Sequence, residues 1–106
     1  MAKLGDKEQL VRALGDAHRI ELIKGLLTKP QYVTELAKTV KLDRPTVSYN
    51  LVVLESAGIL QSQYQILEQP RSKGRAARVY SVNLPRLREA LKLLEPLQSA
   101  SKSAST

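Results

Sequence analysis

Residues 42–60 read LDRPTVSYNLVVLESAGIL. The stretch opens as a helix start. Asp43 is a residue type that accepts hydrogen bonds from first-turn amides, and Pro45 is tolerated there because those amides have no intrahelical acceptor. It closes as a helix stop, with Gly58 after Ala57 suited to the left-handed residue that ends many helices. Between the two, Val47, Leu51 and Leu54 fall at i, i+4 and i+7 and make one apolar stripe. The spacing predicts a helix over 43–57. Arg44, Pro45, Ser48 and Tyr49 occupy the outer face of its N-terminal half, with Thr46 and Asn50 flanking them.

Upstream, Thr34 reads as the cap of a short helix whose inner face is Leu36, Ala37 and Val40, entered through an extended Tyr32 and Val33 and left through Leu42. Asp16 reads as the cap of an earlier helix carrying Ile20, Ile23, Leu26 and Leu27, closed by Lys29 and Pro30, with Gly25 a poor fit inside it. Asp6 and Gln9 form a capping pair for a first helix with Leu10, Val11 and Leu14, interrupted by Gly15. Downstream, Leu60, Ser62, Tyr64 and Ile66 alternate with Ile59, Gln61, Gln63 and Gln65, and residues 78–83 show the same period of two, which predicts paired strands. The intervening EQPRSKGRAAR, with Pro70 and Gly74, makes a charged hairpin connection. Asn83 caps a last helix from 84 to about 97, with Leu84, Leu87, Leu91 and Leu94 in steps of three and four. The tail SASKSAST, residues 99–106, is disordered by composition.

The expected fold class is mainly α with a small β-hairpin (α+β), in one domain over residues 1–98. A chain of 106 residues without Phe or Trp has a modest aliphatic core, which oligomerisation would help. The net charge of +7 suits an anionic partner. Its excess is local, since Arg71, Lys73, Arg75 and Arg78 lie between Gln69 and Tyr80 with no acidic residue among them. Cysteine is absent, which removes disulfides and thiolate metal sites. Apolar runs are far shorter than the roughly 20 residues of a membrane span, so the expected location is cytoplasmic, nucleoid-associated, with no membrane partner.

The segments LGDAHRIELIKGLL, YVTELAKTVKLDRPTVSYNLVVLESAGIL and RVYSVN together resemble the winged helix-turn-helix core of the ArsR-type transcriptional regulators, over about residues 14–83. The resemblance implies a homodimer that reads double-stranded DNA, with helix 43–57 as recognition helix and residues 69–78 as a basic wing. The family's sensory sites use cysteines on the helix matching YVTELAKT, or His and acidic residues on the final helix. Neither pattern occurs here, so no metal and no cofactor are expected. His18 has no second His or Cys to share an ion and reads as structural or solvent-exposed.

Physical chemistry assigns the same residues. In a helix-turn-helix the second helix enters the major groove with its N-terminal residues toward base edges. Arg44 suits a bidentate pair with guanine. Thr46 and Ser48 suit phosphate or base, Tyr49 the same through its hydroxyl or a thymine methyl through its ring, and Asn50 suits adenine where it points outward, while its position in the family implies instead a side-on placement. Thr46 is equally suited to supporting the cap, and Tyr49 to a half-buried surface role. Arg71, Lys73 and Arg75 at a tip containing Gly74 reach for a minor groove or its phosphates, and Arg78 for a phosphate. The seam of Leu84, Leu87, Leu91 and Leu94, joined to Leu10 and Leu14, packs on its own domain or forms a two-fold dimer. No catalytic triad, carboxylate pair or phosphate loop is legible, so an enzyme is not expected. The alternatives to a sequence-specific regulator are an architectural or DNA-segregation winged-helix protein of low specificity, and a winged helix that binds a protein partner.

Overall fold

A computed structural model describes residues 5–67 and 74–104. The chain order is α1 (Asp6–Leu14), α2 (Ala17–Thr28), β1 (Gln31–Tyr32), α3 (Val33–Val40), α4 (Arg44–Ser56), β2 (Leu60–Ile66), β3 (Ala76–Val82) and α5 (Leu84–Ala104). The fold is the expected one, a winged helix-turn-helix of mainly helical character. The hairpin gains a third strand, because Gln31 and Tyr32 pair antiparallel with Tyr80 and Val79 to give the order β1-β3-β2. Two residues are too few to display an alternating pattern, so β1 read only as an extended entry. β2 and β3 pair from Leu60 with Val82 to Ile66 with Ala76.

The helix-turn-helix rests on an aliphatic core in which Leu22, Leu36, Val47, Leu51 and Leu54 are fully buried together with Leu10, Ile59 and Leu60. α4 begins as its sequence requires: the Asp43 side chain accepts from the Thr46 amide, and proline sits in the first turn. It ends at Gly58, whose φ of 80° lets its own amide reach Glu55 O and the Ile59 amide reach Leu54 O. Gly25, awkward for α2 by propensity, has a packing reason. A Cβ there would stand 3.1 Å from the Leu36 side chain, so the glycine lets α3 approach α2 closely. The buried Gln31 completes this joint by donating to Gly25 O and accepting from Thr39 Oγ1, both at 3.0 Å.

Several local expectations are corrected, most of them by longer-range contacts. Asp16 caps α2 as expected, accepting from the His18 and Arg19 amides. α3, however, starts after Tyr32 rather than at Thr34, and Glu35 closes its first turn by accepting from the Tyr32 amide. Asp6 lies inside α1 rather than capping it. Its carboxylate is bound by Arg86, which holds its pKa below the usual carboxyl range. Arg86 also donates to Ala57 O and Glu89 while lying over Gly58, so one guanidinium ties the start of α5 to the end of α4 and to α1. Gln9 donates to Ser56 O and makes no capping bond with Asp6. On α2 the inward residues are Leu22, Ile23 and Leu26, whereas Ile20 and Leu27 are exposed.

α5 starts under Asn83, whose side chain accepts from the Arg86 amide. It runs on to Ala104, so residues 99–104, expected to be disordered, are helical. Proline interrupts helices by removing a donor, yet Pro96 is carried inside α5, and the Ala, Lys, Leu and Gln around it favour the helical state. No helix among the described residues is long and apolar enough to cross a membrane.

Candidate nucleic-acid interface

The outer face of α4 is built by subtraction. Val47, Asn50, Leu51 and Leu54 are drawn into the protein, leaving Arg44, Pro45, Ser48, Tyr49 and Val52 exposed on the other side. Arg44 stands in the first turn with no hydrogen-bond or ion-pair partner among the described residues. Tyr49 is 68% exposed, too open for a half-buried role. Thr46 and Asn50 go the other way. The Thr46 hydroxyl donates to Asp43 Oδ1 at 2.7 Å and its amide to Oδ2 at 3.0 Å. That hydroxyl therefore serves the cap. These bonds are the main reason that the Asp43 carboxyl is held below its ordinary pKa, with His18 at the start of α2 adding to the effect. Asn50 is only 4% exposed, which corrects the expectation of an adenine contact from an outward amide. Its Oδ1 accepts from Arg19 Nη1 at 2.9 Å and its Nδ2 donates to Thr46 O at 2.8 Å. Buried amides need such partners, and a partner 31 residues upstream leaves no local sign in the sequence.

The wing is closed by bonds from the Leu67 amide to Arg75 O at 2.8 Å and from the Gly74 amide to Leu67 O at 3.2 Å. Arg71 and Lys73 lie outside the described residues. Gly74 and Arg75 are exposed. Arg78 is more constrained than a freely reaching cation. Its guanidinium lies 5.5 Å from the Tyr64 ring centre and 5.9 Å from that of Tyr80, and 4.0 Å from a Glu55 oxygen. Glu55 also accepts from Ser62 Oγ, so the end of α4 and the two wing strands are fastened together.

Arg44 and the wing share one surface. A concavity of about 280 Å³ is bounded by Tyr32 and Thr34 at the start of α3, Arg44 at the start of α4, and Ala76 and Arg78 at the start of β3. Tyr32 and Thr34 border this concavity although neither stands out in the sequence as a candidate contact. The pairing of β1 with β3 brings them there, and only the non-local register of that pairing reveals it. In the turn before α4, Lys41 adopts a left-handed φ of 58° and is exposed, adding a cation to the same motif. The surface thus combines two arginines, a helix start and polar side chains along a projecting helix, a set suited to phosphates and base edges.

The leucines expected at a dimer seam divide between two faces. Leu10, Leu14 and Leu87 are buried in the core of the single chain, and Leu94 packs against that core. Leu84 and Leu91 are exposed, with Leu91 at 49%. Val11 on α1 is also exposed, and with Lys7 and Leu93 it lines a groove of about 470 Å³ between α1 and α5.

Residues 16–62 match the family described as bacterial regulatory protein, arsR family. The chain is 35% identical over 71 residues to an uncharacterized HTH-type transcriptional regulator of Methanocaldococcus jannaschii, a span of 67% of this chain and 74% of that protein. Among solved structures, an ArsR-like transcriptional regulator from Rhodococcus sp. RHA1 superposes with a TM-score of 0.66 at 19% identity, over 93% of this chain and 85% of that one. The homodimeric winged helix-turn-helix DNA-binding domain of a possible ArsR-family regulator from Mycobacterium bovis gives 0.58 at 17% identity, over 98% and 93%. A transcriptional repressor of Bacillus anthracis gives 0.63 at 24% identity, over 84% and 92%. At these identities the structural likeness speaks to the fold alone.

Proposed function

The chain belongs to the arsR family of bacterial regulatory proteins and is a DNA-binding winged-helix transcriptional regulator, and from that premise we propose that it works as a sequence-specific homodimer. α4 enters the major groove through Arg44, Ser48 and Tyr49, while the wing, residues 69–78, lies along the adjacent minor groove and its phosphates. Residues 1–98 form one domain in this reading. The observation that carries it is the shared concavity of Arg44 and Arg78, since one rigid duplex can meet both only if they face the same way.

Arg44 carries base discrimination, and the wing cations carry affinity without sequence preference. A binding selection on random duplexes should return a two-fold symmetric motif. Arg44→Ala should then lose about 1–3 kcal/mol of discrimination at one position of each half-site while keeping its affinity for random DNA. Uniform recovery of all sequences by the unaltered protein would instead favour the architectural reading.

The second copy docks on apolar side chains that the core leaves uncovered, Val11 of α1 and Leu84 and Leu91 of α5. A two-fold interface would bring each patch against its own copy. Light scattering should give twice the chain mass for the unaltered protein and a single chain mass for Leu91→Asp. Because Leu91 is half exposed, the substitution should leave the fold intact; a variant that keeps the dimer mass removes this face from the interface.

A further inference from the structure

The end of α1, the start of α2 and the middle of α4 meet at one side chain. Arg19 is only 14% exposed at its side chain. Its Nε donates to Ala13 O at 2.8 Å and its Nη2 to Arg12 O at 3.1 Å, two carbonyls in the last turn of α1. Its Nη1 donates to Asn50 Oδ1 at 2.9 Å. Asn50 in turn donates to Thr46 O one helical turn earlier, beneath the tip that presents Arg44 and Ser48. A planar guanidinium with donors in a fixed fork holds such a geometry more rigidly than a single flexible bond. α1 is also fastened to the far end of α4 by Gln9 and Ser56 O, so two separate bonds oppose rotation of one helix against the other.

We propose that Arg19 and Asn50 are positioning residues that set the angle of the recognition helix relative to the dimer seam, and so select the half-site spacing. This rests on the dimeric reading above. α1 contributes Val11 to the proposed interface beside Leu84 and Leu91 of α5, and α4 carries the base contacts; the joint between α1 and α4 is therefore one of the links, with that of Arg86 to Ala57 O, through which the distance and angle between the two recognition helices are transmitted. Two-fold helix-turn-helix dimers read half-sites one helical turn apart, or multiples of it, so a looser joint translates into tolerance of shifted half-sites. Neither residue is a base contact in this arrangement, since Asn50 is buried and the guanidinium of Arg19 is occupied by Asn50 and the two α1 carbonyls.

The test uses the full chain and duplexes bearing two inverted half-sites from the random selection, with the spacer stepped one base pair at a time. The unaltered protein should prefer one spacing by on the order of tenfold over its neighbours, the scale of one misplaced base contact. The paired replacement Arg19→Met with Asn50→Leu removes donor and acceptor together, which avoids leaving an orphaned buried amide. It should keep the dimer mass and helical circular dichroism while the preference shrinks to about twofold, since the base contacts themselves are retained. Arg44→Ala, by contrast, should weaken binding at every spacing alike. If the paired variant does not fold, Asn50→Ala leaves both carbonyl bonds of Arg19 in place and is read in the same way. A folded, dimeric variant with the original spacing profile overturns the proposal and leaves the dimeric reading standing. An unaltered protein indifferent to spacing removes both.

Discussion

Raising monovalent salt from about 50 to about 200 mM should lower DNA affinity by about two to four orders of magnitude. Each phosphate neutralised by an arginine or lysine releases condensed counterions, and the logarithm of affinity falls by about 0.9 per contact for each tenfold rise in salt. The cations offered for phosphate are Lys41 before the recognition helix, Arg75 at the wing, and Arg71 and Lys73 earlier in the same basic stretch of sequence. Arg78 is partly engaged by Glu55 and counts for less. About two to four contacts per subunit thus give about four to eight for a dimer, and a fourfold change in salt acts on all of them together. Titrations at several salt concentrations measure this slope. Arg75→Ala should reduce it by about 0.9 per subunit without altering the selected motif. A slope near zero would mean that the basic surface does not meet a polyanion.

Leu54→Ala should cost about 2–5 kcal/mol of stability, the range for truncating a fully buried leucine. Leu54 has no exposed surface and belongs to the cluster that joins α4 to the rest of the core. Domains of this size have only about 5–15 kcal/mol in total, and each kcal/mol moves the melting midpoint by roughly 4–8 °C. A fall of about 8–40 °C is therefore expected in a thermal melt followed by circular dichroism. Loss of less than about 1 kcal/mol in denaturant titration would show that the cavity collapses readily and that α4 is not held by this residue.

What the sequence made legible was local. Asp43, Pro45, the stripe through Leu54 and the terminating Gly58 each act within one helical turn or on one helix face, and the structure follows them. The same holds for the cap at Asp16 and the two wing strands. Most of the corrections at the helix-turn-helix are non-local, whereas the start of α3 and the helical residues 99–104 are local choices that the sequence leaves ambiguous. Asp6 and Gln9 look like partners of their own helix until Arg86 and the Ser56 carbonyl, distant in the chain, engage them. Asn50 looks like a surface amide because nothing within its helix reports the guanidinium that enters from α2. Likewise, spacing in threes and fours cannot separate Leu87, which packs inward, from Leu91, which does not, because successive turns of one seam slowly rotate around the helix.

The overrun of α5 has a consequence for how the molecule comes apart. Every residue from 95 to 104 is exposed, so the final turns have no apolar face resting on the body. Helices much under a dozen residues are marginal in water without apolar packing, and Pro96 marks about the point where burial against the body ends. Fraying therefore starts there: the outermost turns unwind and re-form independently, well before the remainder loses its shape, and hydrogen exchange would register them as the fastest amides of that helix.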